Sequence, residues 1–324
     1  MKSIEYLTGE VNKALQGWKL KSHPKELYEP IAYIMNLGGK RIRPLLVLSA
    51  CEMFGRDHST AMPAALAMEV FHNFTLVHDD IMDLAPLRRG KETVHQKWNS
   101  NIAILAGDTM LSLSYDLLLE LHTEDIREIL RIFNRTSTEV CEGQQHDMNF
   151  EKRNDVSIAQ YLEMIRLKTS VLLGCCLQSG AIIGGAGKDD HQGLYDFGIN
   201  LGIAFQLRDD LLDVYGDSEK FGKQDSGDIV TNKKTYLFLK ALETASHNDY
   251  KTLIDLYSQT PDDPAEKIRT VKGIFGKLSI KEEAEAMINT YYTRAIDHLD
   301  KISVPGERKE IMRSFAGMIT TRDH

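Results

Sequence analysis

Two short acidic clusters hold the residues best suited to chemistry. Residues 76–90 read LVHDDIMDLAPLRRG, placing Asp79, Asp80 and Asp83 within five positions and Arg88 and Arg89 just behind them. Residues 205–217 read FQLRDDLLDVYGD and repeat the DDxxD spacing at Asp209, Asp210 and Asp213. On a helix, residues four apart share a face, with Cβ atoms about 5–6 Å apart. Asp79 therefore pairs with Asp83, and Asp209 with Asp213. Two carboxylates roughly 6 Å apart repel by nearly 3 kcal/mol at an effective dielectric of about 20. Such repulsion is relieved by raised pKa values or by bound cations. Hard divalent cations such as Mg²⁺ take oxygen ligands and commonly share them with substrate phosphates. Arg88 and Arg89 suit the same partner, because guanidinium groups grip phosphate oxygens in pairs. One DDxxD is a frequent accident in an aspartate-rich chain. Two copies, each ending an apolar run, are not.

Other residues point the same way. Gly38–Pro44 reads GGKRIRP and sets Lys40, Arg41 and Arg43 at an expected helix start. Glycines let backbone N–H groups approach an anion, and a helix N-terminus adds partial positive charge. Alone, the stretch would pass for an ordinary basic helix junction. Lys168 interrupts a long apolar helix, either snorkelling outward or entering a charged cavity. The segment FGKQDSGDIVTNKKT adds Lys223 and Lys233 after the second acidic set.

The elements that must position these groups are helices. Ile4, Leu7, Val11, Leu15 and Trp18 recur at steps of three and four. Pro24 and Pro30 mark the start of a second helix, and Gly38 and Gly39 its end. Pro44 suits the first turn of a third, closed by Gly55. A long helix follows from Thr60 and Pro63 toward Leu84. Further helices are expected at about 101–122, 124–150, 157–184, 191–215, 234–246, 265–302 (interrupted near Gly273 and Gly276) and 306–320. No period-two alternation marks a strand. Ala64–Val77 and Ile199–Leu212 are apolar nearly all round, as helices inside a bundle are. The fold class is all-α, and with no Ser/Gly/Pro-rich linker the chain reads as one domain over residues 1–324.

Bulk properties bound the rest. The 324 residues are 42% hydrophobic and 27% charged, with a net charge of −8. An acidic balance argues against nucleic acid or an anionic membrane as partner. Cys51, Cys141, Cys175 and Cys176 lack structural-zinc spacing. Cys175 and Cys176 read as small buried hydrophobes in a reducing compartment. The polar N-terminus and the lack of an 18-residue apolar run point to a cytoplasmic protein without stable membrane insertion.

Together these residues resemble the trans-isoprenyl diphosphate synthase (polyprenyl synthetase) family. The motifs follow in order: GGKRIRP, HDDIMDLAPLRRG, EGQQHD at Glu142–Asp147, LKTS, FQLRDDLLDVYGD and the lysine of NKKT. The resemblance implies an all-α isoprenoid synthase fold with a central cavity, usually homodimeric. It implies that an allylic diphosphate ionises, that isopentenyl diphosphate attacks the cation, and that proton loss gives a product five carbons longer. Three Mg²⁺ ions are implied, with Asp79, Asp83 and Asp209 as direct ligands and Asp80, Asp210 and Asp213 in support. Arg88, Lys168, Lys223 and Lys233 match the family's allylic-diphosphate contacts. Lys40, Arg43, His72 and Arg89 match its isopentenyl-diphosphate site. Thr169 and Gln206 would set oxygen dipoles near the developing cation. No cofactor beyond Mg²⁺ is indicated. One departure stands out: the family's K-x-x-G-x-D has Ser226 in place of its glycine, with Asp225 as an extra acid.

Product length is expected from the helix leading into Asp79. Phe74 lies five residues before Asp79, about 7.5 Å along a helix, and Phe71 about 12 Å. In the family, bulky residues just upstream of the first motif form the floor that stops growth. Phe74 followed by Thr75, without a paired aromatic, resembles the C20 pattern, with C15 next. Three rivals are open to comparison. A class I terpene cyclase would need no GGKRIRP and would carry a different second metal motif. An HD-type metal phosphohydrolase, suggested by His78-Asp79, leaves the repeated DDxxD unexplained. A non-catalytic subunit of a heteromeric synthase typically lacks one acidic motif, and both are intact here.

Overall fold

The computed structural model describes residues 2–216, 226–258 and 264–320. In order, the helices are α1 Ile4–Gly17, α2 Lys25–Asn36, α3 Ile42–Met53, α4 Met62–Met82, α5 Val94–Lys97, α6 Ser100–Leu119, α7 Ile126–Glu151, α8 Ile158–Ile165, α9 Val171–Gly184, α10 Lys188–Tyr215, α11 Gly227–Val230, α12 Tyr236–Thr244, α13 His247–Tyr257, α14 Pro264–Lys277, α15 Ile280–Asp300 and α16 Gly306–Thr320. A 3₁₀ turn, His58–Ala61, precedes α4, and a π-helical turn, Arg166–Ser170, joins α8 to α9.

The all-α expectation holds, with four differences of detail. A two-residue ribbon pairs Leu87 with Glu92 and Arg88 with Lys91. Its turn places Arg89 at φ 54° and Gly90 at φ 74°, the double positive φ that a tight primed hairpin requires. Two-residue strands are too short to show alternation in sequence. The expected break near Gly273 and Gly276 falls instead at Leu278–Ser279, where Ser279 turns left-handed at φ 54°. Helix α13 was not expected, because it is mostly polar; Ser246 caps it by accepting from Asp249 N. Pro30 lies inside α2 rather than at its start.

The chain divides into two compact units. The first comprises Met1–Thr136, Leu172–Tyr195 and Ile302–Ile311; the second comprises Ser137–Val171, Asp196–Lys301 and Met312–His324. In the first, α4 packs along α6 and α3. Gly107 of α6 permits this closeness: a Cβ there would lie 2.2 Å from His78 Nε2. From Pro44 to Ala50, α3 is buried without a break, as its unpatterned apolar sequence demands. In the second unit, Gly143 of α7 lies so near the π turn that a Cβ would meet the Lys168 amide nitrogen at 2.3 Å. Gly202 of α10 meets the same turn, 2.7 Å from Ser170 Cα. Backbone contacts this close exclude any side chain.

Cys51, Cys175 and Cys176 are buried, as expected for Cys175 and Cys176. By length and composition two helical runs could cross a membrane, Ser100–Leu119 and Ile158–Gly184; the second is 89% buried in the fold.

Candidate active site

In the first unit, four arginines gather around α4. Asp79 and Asp83 lie one turn apart at its C-terminal end, and Asp83 N donates to the Asp79 carbonyl at 2.8 Å. Asp80 is 1% exposed. Both its oxygens accept from Arg88, from Nε at 2.9 Å and from Nη2 at 2.7 Å. The hairpin thus holds Arg88 against the motif's middle aspartate. Arg43 Nη1 donates to His72 Nε2 at 3.0 Å, so the His72 ring carries its proton on Nδ1. Burial, then Arg43 and the other arginines, hold His72 well below the usual histidine range; it is a neutral acceptor. Arg89 donates to the Gly38 carbonyl. Its guanidinium lies flat enough on Gly39 that a Cβ there would touch three of its atoms at 3.0 Å. Gly38 and Gly39 adopt φ 79° and 136°, a path that strains any other residue. Arg43 Nε is buried without a hydrogen-bond partner among the described residues. Arg88 and Arg41 thus face carboxylates, of Asp80 and Glu69, while Arg43 and Arg89 face neutral acceptors, leaving positive charge for an outside anion.

Deeper along α4, Phe74 is 7% exposed and Phe71 1%. Their rings lie 5.5 Å apart, and Phe71 also packs 5.1 Å from Phe133, which in turn meets Tyr115 at 5.0 Å. Thr75 donates its hydroxyl to the His72 carbonyl at 2.8 Å.

In the second unit, a cavity of about 200 Å³ is lined by Lys168, Thr169, Gln206, Asp209, Asp210, Asp213 and Lys233 among others. Seven residues chosen from sequence thus converge, and Lys168 does face a charged cavity. The π turn presents Lys168 and Thr169 side by side. Such turns recur at functional sites. Lys168 Nζ pairs with Asp147 at 2.6 Å. Thr169 donates to Gln206 Oε1 at 3.3 Å, and Gln206 Nε2 donates to Asp210 Oδ1 at 3.3 Å. Tyr161 donates to the other oxygen of Asp210. Burial first, then the nearby Asp228 charge, pushes the Asp210 carboxyl up to about 8. Asp213 accepts the Asp228 N–H at 2.9 Å, and Lys233 lies 3.6 Å from Asp228. Ser226, at the family's glycine position, adopts φ 56°: the conformation that favours glycine is kept, with a serine in it. Lys223 and Asp225 lie outside the described residues.

Asp147, Tyr161 and Asp228 also line this cavity and were not singled out beforehand. Asp147 closes the EGQQHD stretch; Tyr161 carried no local signal. The donor set fits Mg²⁺, since both acidic motifs offer hard carboxylate oxygens beside lysine and arginine groups suited to phosphate. Among the described residues, no three His, Cys, Asp or Glu side chains are already gathered at metal-binding distance.

The Polyprenyl synthetase family profile matches residues 24–274. A geranylgeranyl diphosphate synthase of Methanosarcina mazei is 40% identical over 74% of this chain and 75% of its own length. Another, from Sulfolobus acidocaldarius, is 37% identical over 95% of each chain. A crystal structure of a geranylgeranyl pyrophosphate synthase superposes with a TM-score of 0.95 at 45% identity, covering 99% of both chains. With its fold, its motifs and these relatives in agreement, the chain belongs to the polyprenyl synthetase family and is a prenyl-transferring enzyme of the short-chain trans-isoprenyl diphosphate synthase type.

Proposed function

We propose that the chain condenses isopentenyl diphosphate with allylic diphosphates, as one functional domain, to a mainly C20 product. The observation that carries this reading is the GGKRIRP cluster. A cyclase or phosphohydrolase needs one anion site at its acidic motifs. Here a second set of cations, Arg43 and Arg89, stands beside neutral His72, with Arg43 Nε unpartnered among the described residues and Lys40 three residues before Arg43 in the chain. Asp79, Asp83 and Asp209 would hold Mg²⁺, three ions by family expectation, with Asp80, Asp210 and Asp213 supporting them. Bound there, Mg²⁺ supplies Lewis-acid neutralisation of the departing diphosphate. Arg88, Lys168 and Lys233, with Lys223, grip that diphosphate and draw off its charge. The Thr169 hydroxyl and Gln206 amide oxygens stabilise the allylic cation, and the burial around them keeps water away. The released diphosphate accepts the proton, since no side chain is placed as an obvious base. Phe74, with Phe71 and Thr75, sets the length.

Two relatives at 32% and 33% identity are geranylfarnesyl diphosphate synthases, so C25 is the neighbouring specificity. We further propose a homodimer. Helix α6 leaves Ile104 42%, Leu105 58% and Leu119 63% exposed, an apolar face of the kind a second copy covers. The test of function incubates pure protein with isopentenyl diphosphate and, separately, C5, C10 and C15 allylic diphosphates, with and without Mg²⁺. A Mg²⁺-dependent ladder of prenols after dephosphorylation, topped by C20, supports the reading. Hydrocarbons, or phosphate release without elongation, overturn it.

A further inference from the structure

Arg41 sits between two proposed substrate contacts, Lys40 and Arg43, yet it turns into the protein. It is 7% exposed. Its Nη1 donates to Glu69 Oε1 at 2.5 Å and its Nη2 to the Met35 carbonyl at 2.7 Å. Glu69 is 2% exposed and is itself held by Asn73, whose Nδ2 donates to Glu69 Oε1 at 3.2 Å and to its carbonyl at 2.8 Å. A buried ion pair is a poor device for stability alone, because desolvating both charges offsets their attraction. Its position suggests another use. Met35 lies in the last turn of α2, where carbonyls lack helical partners. Glu69 lies in α4, one turn before His72. Arg41 is the residue just before α3, with φ 50° and ψ 34°. A left-handed conformation in a residue with a side chain persists only where its surroundings over-determine it. The clamp from α2 to α4 does so here, and the chain leaves it with Lys40 on one side and Arg43 on the other. Glu69 also favours the charged forms of Arg43 and Arg89.

We propose that Arg41, fixed by Glu69 and Asn73, is a positioning residue for isopentenyl diphosphate: it touches no substrate, but locks the left-handed turn that presents Lys40 and Arg43. This rests on the reading of Lys40, Arg43, His72 and Arg89 as the isopentenyl-diphosphate site. The test is steady-state kinetics with each substrate varied in turn, alongside melting curves, for Arg41→Met, Arg41→Lys, Glu69→Gln, Arg41→Met/Glu69→Leu and Arg43→Gln. Arg41→Met and Glu69→Gln are expected to raise KM for isopentenyl diphosphate on the order of tenfold, the effect of about one lost interaction. KM for the allylic substrate is expected to stay within about twofold of the parent, which is about 0.4 kcal/mol against about 1.4 for a tenfold change. The double variant replaces the buried pair with apolar groups of similar size and should regain melting temperature while its isopentenyl-diphosphate KM stays high. Recovery of that KM together with stability would show a merely structural pair and overturn the proposal. So would equal rises in both KM values. If the double variant does not fold, Arg41→Lys gives the same readout, because a lysine keeps the charge but not the two-armed link to Glu69 and Met35. Arg43→Gln separates the two levels. If it leaves the isopentenyl-diphosphate KM unchanged, the site reading has failed. If it raises that KM and the Arg41 variants do not, the positioning role alone has failed.

Discussion

Replacing Phe74 with alanine should lengthen the main product by one five-carbon unit, and by no more. The magnitude comes from helix geometry. Phe74 is five residues before Asp79 and Phe71 eight, so the next barrier lies about 4.5 Å deeper at 1.5 Å per residue. One added unit extends the chain by four carbon–carbon bonds. At a bond length of about 1.5 Å and roughly 1.25 Å of advance per bond, that is about 5 Å. The space opened therefore matches one unit before the chain meets Phe71. That ring is 1% exposed and backed by Phe133 and Tyr115, so it should hold. The assay is prenol chromatography after exhaustive elongation from the C15 starter, with a melting curve in parallel. Truncating a fully packed phenylalanine costs about 3–5 kcal/mol; a ring that borders a substrate channel costs less, because no sealed cavity is left behind. A shift from C20 to C25 with a modest fall in melting temperature is expected. An unchanged product with a large fall would refute the argument and make Phe74 plain core. Growth by two or more units from this one change would show that Phe71 is no barrier.

Three other outcomes are expected. Gly143→Ala should abolish most activity and lower the melting temperature, because its methyl would sit 2.3 Å from the Lys168 amide nitrogen; a fully active, equally stable variant would show that the two helices can part freely. Ser226→Gly should keep activity and raise stability by about 0.5–1 kcal/mol, the left-handed strain relieved less the entropy added to the unfolded chain, and a lower melting temperature would contradict this. His72 is held below its unfolded value of about 6.5. Its contribution is thus present above that pH and fades as pH falls below it, by up to about 1.4 kcal/mol per pH unit, because the unfolded chain binds the proton first. Melting curves from pH 7.5 to 5 should therefore fall more steeply for the parent than for His72→Gln, and parallel curves would exclude the effect.

Much of this was legible in the residues. Prolines and glycines punctuate the helices, and the paired carboxylates with the LKTS lysine mark the second unit's cavity. What escaped was nonlocal or too short for a period to register. Tyr161 meets Asp210 from 49 positions away, and nothing near either residue announces the partner. The Arg88 ribbon has two residues per strand. Helix α13 hid because it is short and buries only a narrow face, Leu253 and Tyr257, although Ser246 offered a cap. The shift from Gly273 and Gly276 to Ser279 has a simple cause: a glycine within a helix costs about 1 kcal/mol and is tolerated, whereas a left-handed residue ends the helix outright.

The π turn at Arg166–Ser170 has a bearing on how the protein could have arisen and can be altered. Val171 N bonds back to the Arg166 carbonyl, five residues earlier, so the turn holds one residue more than an α-helix would. An α-helix advances about 100° per residue, so one extra residue shifts the facing of the side chains in the turn by that angle, and the slip falls on the residues LKTS. A one-residue insertion into an ordinary helix produces this arrangement without disturbing either flank. Deleting one residue within the turn should therefore leave the helix standing and its flanks seated, while rotating Lys168 or Thr169 off the cavity: a route to a folded shell with its chemistry withdrawn.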